Sequence, residues 1–224
     1  MYKFLIGLFV AIIIIVVVFN SSFLTIAFVI SVFALIVFLI RNRDITERIY
    51  SKSKDELHIV NVDKGGVFIL SGVGENSEEL TLKVVSKHLY QEGDFYWYEL
   101  ECDKGTGENV WVEVEDDDST IVSITLKKMT LKDIHVTSDK LEKIDDEETG
   151  SITYNGQQFV YVDSDNAVFY KHCDNQNPQK FYFWDFAYKN QIISVEKWTD
   201  FEYDVTLSQR MLPAQIKVLS NKGA

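Results

Sequence analysis

Five carboxylates interrupt aromatic and β-branched stretches of the chain: Glu99, Glu113, Glu115, Asp185 and Glu196. Carboxyl groups brought together in pairs can do general acid–base work. No apposed base, nucleophile or phosphate-cradling loop accompanies them, so catalysis is the lesser expectation. Four tryptophans, Trp97, Trp111, Trp184 and Trp198, stand in the same stretches and define two aromatic strips. Such strips pack cores or line a groove that takes a peptide or partner strand, and the sequence leaves both readings open. Trp97, Glu99, Trp111, Trp184, Asp185 and Trp198 are therefore the candidate interaction or structural positions.

The soft metal-ligand types are His88, His172, Cys102 and Cys173. A structural zinc site normally places two ligands on one short loop. Here His172 and Cys173 are neighbours, and neighbours on a strand point to opposite faces. No metal site is expected, and the two histidines read as equivalent polar strand positions near an edge. Glu115-Asp116-Asp117-Asp118 offers clustered oxygens but lacks calcium-loop spacing, so it reads as a solvated hairpin turn. No Gly-rich phosphate loop, Ser-His-Asp set or Cys-His nucleophile stands out, and no cofactor is expected.

These residues must be positioned by strands. From residue 58 the hydrophobic pattern has period two. Strands are predicted at 58–62, 67–71, 80–90, 95–102, 110–115, 120–127, 151–154, 158–163, 167–172, 180–187, 191–198, 201–207 and 215–219. Turn chemistry separates them: Lys64-Gly65-Gly66, Glu92-Gly93-Asp94, Asn155-Gly156 and Asp163-Ser164-Asp165. The body also repeats itself. Lys87-His88 recurs as Lys171-His172, Phe95-Tyr96-Trp97-Tyr98-Glu99-Leu100 as Phe181-Tyr182-Phe183-Trp184-Asp185-Phe186, and Val114-Glu115 as Val195-Glu196, at offsets of 84, 86 and 81 residues. Glu99 and Asp185 match across the repeat, which predicts one structural job done twice. The expected fold is mainly β. Two tandem related antiparallel units, 58–130 and 149–219, of small-barrel or sandwich type, are joined by a linker at 131–148 and followed by a tail at 220–224.

The chain of 224 residues carries 22 basic and 34 acidic side chains, net −12. The average hides a split. Residues 1–40 hold only seven residues outside the apolar and aromatic set: Lys3, Gly7, Asn20, Ser21, Ser22, Thr25 and Ser31. One helix over both apolar runs, 4–19 and 23–40, would reach about 54 Å, well beyond a hydrocarbon core of about 30 Å. Asn20-Ser21-Ser22 is the turn that breaks it. An N-terminal transmembrane helical hairpin is expected over 1–40, then a juxtamembrane stalk over 41–57. Lipid contact would be through residues 1–40. Arg41, Arg43 and Arg48 follow the second run, which places the body on the cytoplasmic side of the inner (cytoplasmic) membrane and keeps both cysteines reduced. The apolar runs contain no Asp, Glu, His or Arg, so the hairpin reads as an anchor rather than an ion path. Residues 49–224 hold 18 basic against 32 acidic groups, net −14. That surface repels nucleic acid and suits a protein partner with a basic surface.

The combination of Gly65-Gly66-Val67, Tyr96-Trp97-Tyr98-Glu99-Leu100, Val110-Trp111-Val112-Glu113-Val114-Glu115, residues 181–186 and Ser194-Val195-Glu196-Lys197-Trp198 resembles the bacterial domain-of-unknown-function family 4178 over about residues 58–219. The resemblance implies a bacterial β-domain, often encoded near membrane-remodelling proteins and polyamine synthases. It carries no catalytic residues to transfer. Two functions are expected in order: a non-enzymatic, membrane-anchored interaction or sensing module linked to membrane stress, or an enzyme or binder of small cations such as polyamines that uses the acidic face.

Overall fold

The computed structural model describes residues 56–117 and 119–222. The expected hairpin at 1–40 and nearly all of the stalk lie outside the described residues. Among the described residues, no helix is long and apolar enough to cross a membrane.

Eleven strands form one antiparallel sheet. They are β1 (Val67–Val73), β2 (Glu78–Glu92), β3 (Phe95–Asp103), β4 (Asn109–Asp116), β5 (Thr120–Met129), β6 (Ser151–Tyr154), β7 (Gln157–Tyr170), β8 (Gln179–Tyr188), β9 (Gln191–Lys197), β10 (Tyr203–Met211) and β11 (Ile216–Ser220). Helix α1 (Ser138–Glu147) stands between β5 and β6. The order across the sheet is β11-β1-β2-β3-β4-β5-β10-β9-β8-β7-β6. A further pairing, Leu89 with Tyr170, Tyr90 with Phe169 and Gln91 with Val168, joins β2 to β7. That three-pair seam joins β2-β3-β4-β5-β10-β9-β8-β7 into an eight-strand ring.

Alternation divides each wall strand between two environments. On β4, Val112 and Val114 point outward while Trp111, Glu113 and Glu115 point into the lumen. The outward apolar residues are covered twice. Over β2–β5 they pack with Phe68 and Leu70 of β1 and with Ile59 and Val62. Over β8–β10, Trp184, Phe186, Ile193, Val195 and Val205 pack with Leu141 and Ile144 of α1 and with Ile152 of β6. The main apolar cores therefore lie on the outside of the barrel wall.

The two halves of the ring are equivalent four-strand meanders, β2-β3-β4-β5 and β7-β8-β9-β10. Trp97 pairs with Glu115 as Phe183 pairs with Glu196, and Glu99 pairs with Glu113 as Asp185 pairs with Ser194. The offsets of 86 and 81 residues thus recur in the hydrogen-bond register. The Lys-His match does not. Glu99 faces His88 on β2, whereas Asp185 faces Asp163 on β7, so Asp163 occupies the place of His88. Lys171–Cys173 is a short 3-10 turn beyond the end of β7.

Several expected elements are corrected. Residues 58–62 do not form a strand. Ile59–Asn61 is a 3-10 turn whose period of three buries Ile59 and Val62 together, and the Lys87 ammonium donates to the carbonyls of Val60 and Val62. The predicted strands 158–163 and 167–172 are one strand, β7, bulged between Tyr161 and Asp163. Asp163 and Asp165 do accept from the following backbone N–H, at 2.9 and 2.6 Å. The ladder to β8 continues through both, so neighbour pairing overrides their turn preference. Residues 138–147 of the expected linker form α1. Thr137 caps it by accepting from Lys140 N–H, Tyr182 donates to Asp145 at 2.7 Å, and the Ser164 hydroxyl donates to the same carboxylate. With only two buried apolar residues among its charges, α1 gains its stability from the sheet it covers.

Leu141 is fully buried, so Leu141→Ala should lower unfolding stability by about 2–5 kcal/mol. Glu148 ends α1 in the left-handed region at φ 49°, so Glu148→Gly should raise it by about 0.5–1 kcal/mol. Denaturant unfolding checks both signs.

Candidate functional site

Every strand of the ring contributes to one cavity of about 440 Å³, the barrel lumen. Its chemistry follows from the alternation described above. The aromatic side chains form one group: Tyr90 stacks on Trp97 at 5.3 Å between centroids, Phe181 stacks on Trp198 at 4.6 Å, and Phe183 and Phe169 complete the wall. Beside them lie the carboxyl groups of Glu99, Glu113, Glu115, Asp185 and Glu196, each half-buried because its remaining exposed surface faces the lumen. Asp204, Lys128 and Arg210 are more exposed members of the same lining.

The structure brings five of the six predicted positions together. Trp97, Glu99, Trp111, Asp185 and Trp198 all line the lumen. Trp184 does not. It sits on the opposite face of β8, in the core under α1, its ring against Tyr182 and its buried Nε1 without a partner. The repeat aligns Trp184 with Tyr98, and both lie one residue off the inward positions 97 and 183. Sequence reading grouped Trp184 with the others because aromatic residues fill consecutive positions there, which masks the period of two.

The lumen acids are held by close contacts within the cavity. They pair with one another and with small donors. The Tyr90 hydroxyl donates to Glu99, Glu113 donates to Glu115, Ser194 donates to Asp185, and Trp198 Nε1 donates to Glu196 at 3.1 Å. The ammonium of Lys128 lies 3.8 Å from the centre of the Trp111 ring, a cation–π contact. Burial pushes Glu99 up to about 7, against the pull of Lys128 and with the repulsion of Glu101. Burial also lifts Glu196 to about 8, reinforced by Glu99 and Asp204. Asp185 rises to about 6 by burial, opposed by the Ser194 hydrogen bond. Glu113 is held well above the ordinary carboxyl range by burial and then by Glu115, Asp185 and Glu99. Like charges crowded away from water favour the neutral acid.

Sequence reasoning missed Ser123, which is 4% exposed and lines the lumen with a hydroxyl that has no hydrogen-bond partner. Its register neighbours are Glu113 and Arg210. A serine between Val122 and Ile124 on a predicted strand marks the lumen face of β5, and that is the one signal that could have located it.

A second cluster lies at the seam. His88 is 6% exposed rather than an edge residue, and its ring lies 5.2 Å from that of His172. The His172 N–H donates to His88 Nδ1 at 3.1 Å, and Ser86 Oγ lies 2.6 Å from His172 Nδ1. His172 and Cys173 are in the left-handed region, φ 57° and 56°, and not on a strand. Burial and then His172 hold the His88 pKa down, against Glu101. Among the described residues, no group of three or more His, Cys, Asp or Glu side chains is placed to hold a metal ion. Asp116, in the acidic turn, accepts from Thr120 Oγ1, while Glu115 leaves that turn for the lumen and Asp118 lies outside the described residues.

The fold and site together define a closed antiparallel β-barrel with an aromatic, carboxyl-lined lumen. The chain belongs to the domain of unknown function family DUF4178, matched over residues 78–213, a span that begins with β2 and ends just past β10 and so includes all eight ring strands. No curated protein and no solved structure matches it.

The lumen acids have folded values above their unfolded ones, so the folded state binds more protons between about pH 4 and pH 8. Stability is undiminished below the unfolded values and declines as pH rises through the folded ones. The thermal midpoint should fall by several degrees from pH 5 to pH 8.5, and Glu113→Gln, which cannot ionise, should flatten that slope.

Proposed function

We propose that this protein is a non-enzymatic binding or sensing module whose barrel lumen takes a small organic cation. The supporting observation is the pairing of aromatic faces with an excess of carboxyl groups in one cavity, with Lys128 and Arg210 as its basic members. Aromatic faces attract cations and accommodate apolar stems, while carboxylates fix ammonium groups. Polyamines belong to this ligand class. Burial and then neighbouring acids disfavour the ionised form of the lumen carboxyl groups, and a ligand's positive charge favours it.

The apolar head of residues 1–40 supports a tether in the same reading. Arg41, Arg43 and Arg48 argue for a body held on the cytoplasmic face. With net −14, that body is repelled by the anionic leaflet and stays free to sample cytoplasmic ligands. A reporter fused after Ala224 should be active as a cytoplasmic reporter and silent as a periplasmic one, and the reverse result ends the tether reading.

The binding reading is tested on the full-length chain in detergent with spermidine, tetramethylammonium and magnesium, by thermal shift and calorimetry. The organic cations should stabilise the protein, magnesium should do so less, and added salt should weaken binding. Glu99→Gln and Glu196→Gln should each weaken it roughly tenfold, as expected for loss of a charged hydrogen bond. If magnesium alone shifts the midpoint, or no cation does, the reading fails.

A further inference from the structure

The lumen carries more carboxyl groups than its few basic side chains balance. Glu99, Glu113 and Glu115 come from β3 and β4, and Asp185 and Glu196 from β8 and β9. Glu92 and Tyr90 on β2, Asp163 on β7 and Asp204 on β10 also face this space, and Glu101 is one inward step beyond Glu99. Against them stand Lys128 on β5 and Arg210 on β10, both exposed and on the adjoining strands of a single seam. Ionising every acid in such a site would crowd negative charges together on one partly buried surface.

A second, independent feature points to an occupant. The Ser123 hydroxyl, nine-tenths buried and without a partner, is part of the lining between Glu113 and Arg210. A buried polar group left unsatisfied is costly, and a ligand or its water would satisfy it.

Resting on the cation-binding reading, we infer that the lumen is a proton–cation exchanger: the empty barrel holds protons on its carboxyl groups and releases them when an organic cation binds. The balance is simple. A carboxylic O–H bond breaks, its proton passes to buffer, and the carboxylate left behind pairs with the incoming positive charge. The charge in the lumen is nearly unchanged by the exchange. The Glu113–Glu115 hydrogen bond is the geometry of two acids sharing one proton, as cross-strand and same-strand carboxyls do when they cannot both ionise. Glu99 and Glu196, with values of about 7 and about 8, are the groups whose protons are most readily exchanged near neutral pH. Binding would then be sensed together with pH, tightening as the cytoplasm becomes more alkaline.

Tetramethylammonium is the test cation because it has no proton of its own, so any proton released comes from the protein. With the full-length chain in detergent, infrared spectra at pH 7 should show a protonated carboxylic-acid band in the absence of ligand. The band should shrink in Glu196→Gln and on adding tetramethylammonium. Calorimetry in buffers of different ionisation enthalpy should return roughly one proton released per cation bound, with affinity rising by up to about tenfold per pH unit between pH 6 and pH 8. Absence of the protonated band at pH 7 overturns the inference whatever binds. Binding without proton release overturns it while leaving the cation reading intact. A protonated band with no binding by any organic cation ends the cation reading, and the exchange with it. Should Glu196→Gln not fold, the wild-type spectra and the buffer comparison still decide.

Discussion

Three residue pairs between β2 and β7 hold the ring closed, and the lumen exists because of them. Without that seam the eight strands would form an open, twisted sheet with the acids of β3 and β4 facing solvent. With it, Tyr90 meets Phe169, and the aromatic group of Trp97, Phe181 and Trp198 packs around that contact. The closure is local in extent and global in effect. It converts a face that would be an ordinary polar sheet surface into an interior lined by carboxyl groups.

An interior of this kind is costly, and the arrangement of the cores explains how the fold tolerates it. Most aliphatic residues of the wall face outward, where β1, β11 and the 3-10 turn cover one half and α1 and β6 the other. Those two cores supply apolar burial without using the lumen. Barrel stability therefore does not depend on filling the centre with side chains, and the centre is free to keep groups whose neutral form is favoured by burial. Lys87 belongs to the same economy of structure: its ammonium lies over the Tyr98 ring and donates to two carbonyls of the 59–61 turn region, fixing a cover element to the wall.

Matching registers in the two meanders distribute the acids around the lumen. Corresponding strands β2 and β7 are antiparallel neighbours, as are β5 and β10. Glu99 and Asp185 take equivalent places, as do Glu115 and Glu196. The copies have diverged where the covers differ. His88 on one side corresponds to Asp163 on the other, and His172 comes from a turn rather than from a matching strand position.

Most strands, most of their hairpins and the repeated aromatic-acid motif were legible in the sequence, because period two and turn chemistry are properties of neighbouring residues. The apolar head and the acidic balance were legible for the same reason. Alternation separated Trp111, Glu113 and Glu115 from Val112 and Val114, but it could not say which set would face a lumen. Both faces are shielded here, and which is inside depends on strand partners more than 70 residues apart, as in Tyr90 with Phe169. The unpartnered Ser123 hydroxyl, the outward Trp184 and the His88–His172 contact were decided at that same level. So was α1, whose ten residues bury only Leu141 and Ile144 and which needs the sheet beneath it to be a helix at all. Local pattern determined what each strand could present, and long-range pairing determined to what it was presented.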